Sequence, residues 1–164
     1  MKSLTLPKSR LGLTLLASVV IFLVAIGVSK LTELAFGLPE QNQVETVKKM
    51  IGWNTPFLLL SVWIVLGTPV VEEALFRLPT RYLRGDGWAA AISALFSFCH
   101  FIDYGSIAAG RGFALTPLSN AFLALFFVGF AWCRLYRRTG RLWCTMLSHS
   151  IFNTINLALL ILLA

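Results

Sequence analysis

Residues 57–84 read FLLLSVWIVLGTPVVEEALFRLPTRYLR. An uncharged apolar run leads into two adjacent acids, Glu72 and Glu73, and then Arg77. The 28 residues would span roughly 42 Å as one helix, more than the hydrocarbon thickness of a bilayer. The run therefore reads as a tilted or kinked membrane span, with Pro69 and Pro79 as the points of kinking. Ionisable groups inside such a span are expensive and mark function by default.

Working outward, similar apolar runs recur. Gly85-Asp86-Gly87 reads as a tight turn, followed by a run over 88–102. A polar, glycine-containing loop then leads to a fourth run over 118–135. Arg134, Arg137, Arg138 and Arg141 read as a short basic loop before a fifth run over 142–163. Upstream, Lys2, Lys8 and Arg10 precede a run over 11–29, long for the apolar core of a signal peptide and so read as a retained span. Residues 30–56 carry balanced charge and the breaker Gly37-Leu38-Pro39. They read as an interfacial loop, with a short interfacial helix over 43–53.

Composition supports the bilayer as solvent. Of 164 residues, 57% are hydrophobic and only 13% charged. A chain of this size cannot hide that much apolar surface and still wet its exterior, and disorder is excluded on the same ground. The formal charge of +7 does not indicate a nucleic-acid partner, because the basic residues sit at the ends of apolar runs. With the N-terminus inside, ten Lys and Arg fall on inner segments and four on outer ones. The expectation is one all-α, polytopic membrane domain over 1–164, with five spans, N-in and C-out. Cys99, Cys133 and Cys144 show no metal-binding spacing and read as small buried hydrophobes.

The polar groups in these runs fall at one depth. Glu72 lies 12 residues above Arg84, and His100 lies 12 above Trp88, so both sit roughly 18 Å along their helices. His149 and Asn153 lie 8 and 12 residues above Arg141, roughly 12 to 18 Å up the fifth span. Glu73 and Arg77, four apart, meet on one face and read as a structural ion pair. Glu72 is turned about 100° away. His149 and Asn153 share a face, as do Phe96 and His100, so Phe96 would wall the site. A lone histidine or asparagine in a span is commonly an interhelical hydrogen-bonder. Two acids, two histidines and an asparagine at matched depth are harder to assign to packing.

Neither GxSxG nor HExxH is present. Glu72, His100 and His149 could hold zinc, three ligands plus water being the usual catalytic number. A metal-free arrangement needs less. Glu72 in a low-dielectric cavity would act as general base on water, His100 would orient that water, and His149 with Asn153 would donate to an oxyanion. No cofactor is required.

Glu72-Glu73-Ala74-Leu75-Phe76-Arg77 resembles the EExxxR motif of the CPBP family, also called the Abi or CAAX-protease-like family. Phe96 to His100 resembles its FxxxH motif, and His149 to Asn153 its HxxxN motif. The three occur in order within apolar runs. The resemblance implies a glutamic intramembrane endopeptidase in which Glu72 and His100 activate water, His149 and Asn153 form the oxyanion site, and Glu73 and Arg77 brace it. Leu78-Pro79 follow the arginine where the family usually has glycine. The expected partners are membrane lipid and a membrane-associated peptide or protein substrate, with the chain in a prokaryotic cytoplasmic membrane. The alternatives are a zinc-dependent membrane protease on the same residues and a non-catalytic immunity or peptide-binding module.

Overall fold

The computed structural model describes residues 8–38, 56–83 and 85–163. The helix expected over 43–53 and most of the expected interfacial loop lie outside the described residues. Five long helical stretches account for most of the rest. They are α1 (Lys8–Phe36), a second stretch from Phe57 to Arg81, α4 (Asp86–Cys99), α6 (Ala121–Thr139) and α7 (Leu142–Leu163). The second stretch contains α2 (Phe57–Val62), a π-helical turn (Trp63–Gly67), α3 (Thr68–Arg77) and a 3₁₀ turn (Leu78–Arg81). A short helix, α5 (Tyr104–Ala108), lies in the connection after α4. Among the described residues the β pairing is a single antiparallel bridge, Ile102 to Leu115.

The fold is all-helical, as expected, and Arg10–Phe36 and Phe57–Arg81 are long and apolar enough to cross a membrane; Asp86–Cys99 is a shorter apolar helix. Several boundaries move. The first helix continues through Lys30 to Phe36 instead of yielding to a loop at Lys30. Nothing in Leu31–Phe36 breaks a helix, Lys30 Nζ pairs with Glu33 at 2.8 Å, and the stop comes at Gly37, where φ is +63°. The expected turn at residues 85–87 narrows to Gly85 (φ +101°), and Asp86 opens α4 with its carboxylate on the helix N-terminus. The basic loop is mostly helix. Arg134, Arg137 and Arg138 lie in α6, which ends at Gly140 (φ +62°), where the Gly140 N–H donates to Tyr136 O at 2.7 Å.

Where a kink is expected at Pro69, the backbone carries a π turn just before it. Thr68 N–H donates five residues back, to Trp63 O. In that register the next donor, to Ile64 O, would be residue 69, and proline has no N–H. Ile64 O is thereby left without a helical partner. Gly67 makes room for the ring of Trp63, since a Cβ there would sit 2.4 Å from Trp63 Cε3.

A buried cluster of Ile21, Ala25, Phe96, Leu125, Val128, Trp132 and Phe152 joins α1, α4, α6 and α7. Small residues let α4 and α6 approach closely. Ala89, Ser93 and Ser97 of α4 and Gly129 and Cys133 of α6 are all buried, and a Cβ on Gly129 would meet Phe96 Cδ1 at 3.0 Å. α7 runs antiparallel to the Phe57–Arg81 stretch, with His149 opposite Glu73 and Asn153 opposite Ile64.

Candidate active site

Glu73 and Arg77 stand one turn apart on α3, both fully buried, with Arg77 Nε donating to Glu73 Oε2 at 3.1 Å. The guanidinium lies over the rings of Phe96 (4.9 Å) and Trp132 (5.7 Å), and its Nη1 reaches Cys133 Sγ at 3.8 Å. An unpaired charge at this depth would be costly, and this pairing neutralises both groups. The other oxygen, Glu73 Oε1, lies 3.0 Å from His149 Nδ1. A carboxylate can only accept, so Nδ1 carries the proton and Nε2 faces away from Glu73.

The plane of His149 is fixed from a second side. Its ring stacks on Trp132 at 4.1 Å and 25°, and Trp132 Nε1 donates to Ser148 Oγ at 3.1 Å. Trp132 is a site residue that the sequence reading passed over, because α6 carries none of the motifs. A signal was available, since a buried indole in a span needs a partner for its N–H.

Glu72, one position from Glu73, faces the other way. Its Oε2 lies 3.7 Å from His149 Nε2 and 3.9 Å from His100 Nε2. Glu72 and His100 are 25% and 29% exposed, against 5% for His149. Glu72 Oε2 itself is buried and has no hydrogen-bond partner among the described residues. His100, at the C-terminus of α4, places Nδ1 2.8 Å from Phe96 O, so Nδ1–H donates and Nε2 is turned to Glu72. The ring of Phe96 meets both imidazoles in edge contacts, 4.7 Å from His100 and 6.4 Å from His149.

The structure therefore gathers Glu72, Glu73, Arg77, Phe96, His100 and His149. Asn153 sits one turn further along α7 and is engaged elsewhere. Its Nδ2 donates to Ile64 O at 2.7 Å and to Thr68 Oγ1 at 3.3 Å, while the Thr68 hydroxyl donates to Ile64 O at 2.7 Å. The carbonyl left open by Pro69 and the π turn is what holds Asn153, so its amide hydrogens point into the helix pair. As placed, it ties the two helices together. No cluster of three or more His, Cys, Asp or Glu side chains suited to a metal ion occurs among the described residues.

Chemically, a carboxylate oxygen flanked by two imidazole nitrogens in an apolar wall can hold and deprotonate a water molecule. Set against known proteins, residues 53–155 match the family model of type II CAAX prenyl endopeptidase Rce1-like proteins, a stretch that contains all three motifs. No curated protein and no solved structure matches the chain.

Proposed function

Because this chain belongs to the type II CAAX prenyl endopeptidase Rce1-like family, a family of CAAX-type intramembrane proteases, we propose that it hydrolyses a peptide bond of a membrane-associated peptide or protein with water activated by Glu72. The observation that carries the reading is the triangle of Glu72 Oε2, His100 Nε2 and His149 Nε2. Its 3.7 and 3.9 Å separations exceed a direct hydrogen bond and leave both nitrogens turned to the same carboxylate oxygen, where a water molecule held beside them would meet all three groups.

In this mechanism His100 orients the water by accepting a hydrogen bond at Nε2. Glu72 takes the second proton as the water oxygen attacks the carbonyl carbon. The proton then passes from Glu72 to the leaving amine as the C–N bond breaks, giving a carboxylic acid and an amine. No covalent enzyme intermediate forms. His149 in its protonated form is flanked by carboxylates at both nitrogens and donates Nε2–H to the developing oxyanion. Glu73 holds His149, and Arg77 balances Glu73. The five helical stretches are proposed as five spans, with the Gly85 turn and the arginines of α6 on the inner side.

The test is cleavage of a farnesylated peptide ending in a CAAX sequence by full-length protein in liposomes. Wild type is expected to release the terminal tripeptide, and Glu72→Gln to release none while inserting and unfolding like wild type. Cleavage by Glu72→Gln at the wild-type rate would falsify the mechanism.

A further inference from the structure

Hydrolysis through Glu72 requires hydrogen-bond donors where negative charge develops, and most donors around the cavity are engaged elsewhere. His100 Nδ1 is held by Phe96 O and His149 Nδ1 by Glu73. Asn153 Nδ2 is held by Ile64 O and Thr68 Oγ1. The hydroxyls of Ser93 and Ser97 donate to Ala89 O and Phe122 O at 2.6 Å each. Arg77 is sealed behind Glu73 and Phe96. Arg77 Nη2 has no partner but is fully buried with the rest of its side chain, so among these motif donors His149 Nε2 is the one facing Glu72, and a tetrahedral oxyanion is ordinarily met by more than one.

Tyr104, outside all three motifs, opens the short helix that follows His100. The connection after α4 is folded back and pinned. Asp103 N–H donates to Ala114 O at 2.9 Å and Thr116 N–H to Phe101 O at 2.8 Å. The Asp103 carboxylate caps α5 by accepting from Ser106 N (3.1 Å) and Ser106 Oγ (2.8 Å). This anchoring returns the Tyr104 hydroxyl to the end of α4, where it donates to Cys99 O at 3.3 Å, one residue before His100. That bond is long, and its acceptor also receives Ile102 N–H at 3.4 Å, so the hydroxyl is weakly held and free to change partner. Tyr104 is 38% exposed. Burial pushes its phenol up, and the charges of Cys99 and Glu72 act in the same direction, which keeps the O–H protonated as a donor and places it within the field of Glu72.

We propose that Tyr104 donates its hydroxyl hydrogen bond to the oxyanion formed at Glu72, as a second donor beside His149. The inference rests on the hydrolytic reading above and extends it to a residue that the motifs do not contain. In the tetrahedral intermediate the Tyr104 O–H turns from Cys99 O to the substrate oxygen, and it returns when the oxyanion collapses.

The test uses full-length protein in liposomes with the farnesylated CAAX-type peptide. Tyr104→Phe is expected to lower kcat about 100- to 1000-fold, with KM changed less than about twofold. Replacing Tyr104 by 3-fluorotyrosine, which keeps the shape and makes the phenol more acidic, is expected to move the alkaline limb of kcat to lower pH. A structural role would move neither kcat alone nor that limb. Wild-type kcat in Tyr104→Phe, beside an inactive Glu72→Gln, overturns this inference and leaves the hydrolytic reading standing. An active Glu72→Gln overturns both. Should Tyr104→Phe fold poorly, the fluorotyrosine protein decides, and an unmoved alkaline limb counts against the proposal.

Discussion

Glu72 and Glu73 are the same residue type on adjacent positions of α3, and their surroundings are opposite. Glu73 is sealed, bound to Arg77 at one oxygen and to His149 at the other. Glu72 is a quarter exposed, and its inner oxygen faces two imidazole nitrogens that stop short of bonding it. One step along a helix turns a side chain by about 100°, enough here to seal one carboxylate and leave its neighbour partly open. Two carboxylates with one arginine between them cannot both be neutralised by it. The rotation decides which one stays available to accept a proton.

Removing the arginine breaks this division most severely. Arg77→Ala leaves Glu73 charged and buried without its cation, and the expected loss is about 3–5 kcal/mol of stability, read as thermal unfolding in detergent. The double variant Glu73→Leu with Arg77→Met removes both charges and is expected to recover most of that stability. It should stay inactive, because His149 Nδ1 then has no carboxylate to hold it. If Arg77→Ala melts with the wild type, the buried pair is not the brace described here.

Glu72→Gln sharpens the contrast from the other side. The variant is expected to melt with the wild type, since Glu72 Oε2 makes no bond that is lost. Cleavage is expected to fall at least about 100- to 10,000-fold, the range for loss of a general base. Rate should therefore follow Glu72 and stability Glu73. Equal destabilisation by Glu72→Gln and Arg77→Ala would erase the distinction.

Much of this division was legible in the sequence. Spacing alone put Glu73 and Arg77 on one face and turned Glu72 away, and equal counts from the inner turn put His100 level with it. Fold class was legible because composition leaves few alternatives. The position of Asn153 was not. Four-residue spacing places it on the face of His149, but what it meets depends on a backbone carbonyl of another helix, and a residue pattern does not display carbonyls. Pro69 was the available clue. It was read as a kink, whereas its missing N–H also releases Ile64 O for a partner. The extension of α1 to Phe36 and of α6 to Thr139 were missed for a simpler reason. Charged residues do not end helices by themselves, since Lys, Glu and Arg are good helix formers, and these two helices stop at Gly37 and Gly140.

The Asn153 tie gives a smaller effect. Asn153→Leu leaves Ile64 O with only the Thr68 hydroxyl, and interhelical hydrogen bonds in membranes are worth about 0.6 kcal/mol, reaching about 1.7. The expected outcome is a modest drop in unfolding temperature with measurable residual cleavage, since the amide as placed spends its hydrogen bonds on Ile64 O and Thr68 Oγ1. If Asn153→Leu matches Glu72→Gln in activity and leaves stability untouched, Asn153 acts on the substrate and not on the π turn.

The smallest effect is expected from an ion pair that is short but exposed. At the opposite end of α4, Asp86 Oδ1 accepts from Arg134 at 2.6 Å and from Arg137 at 3.4 Å, and the two nearer partners are more than half exposed. Arg77 and Glu73 are farther apart, at 3.1 Å, yet their separation governs far more energy. Solvent and salt screen the exposed charges, and an aspartate that loses its arginine there is rehydrated at once. Asp86→Ala should therefore cost about 0 to 1 kcal/mol at low ionic strength and less as salt is raised, with cleavage unaffected. Arg137 keeps its bonds to Leu83 O and Gly85 O, so the turn stays closed without the aspartate. A salt-insensitive loss as large as that of Arg77→Ala would mean that burial does not separate the two ends, and the account of Glu72 and Glu73 would lose its physical basis.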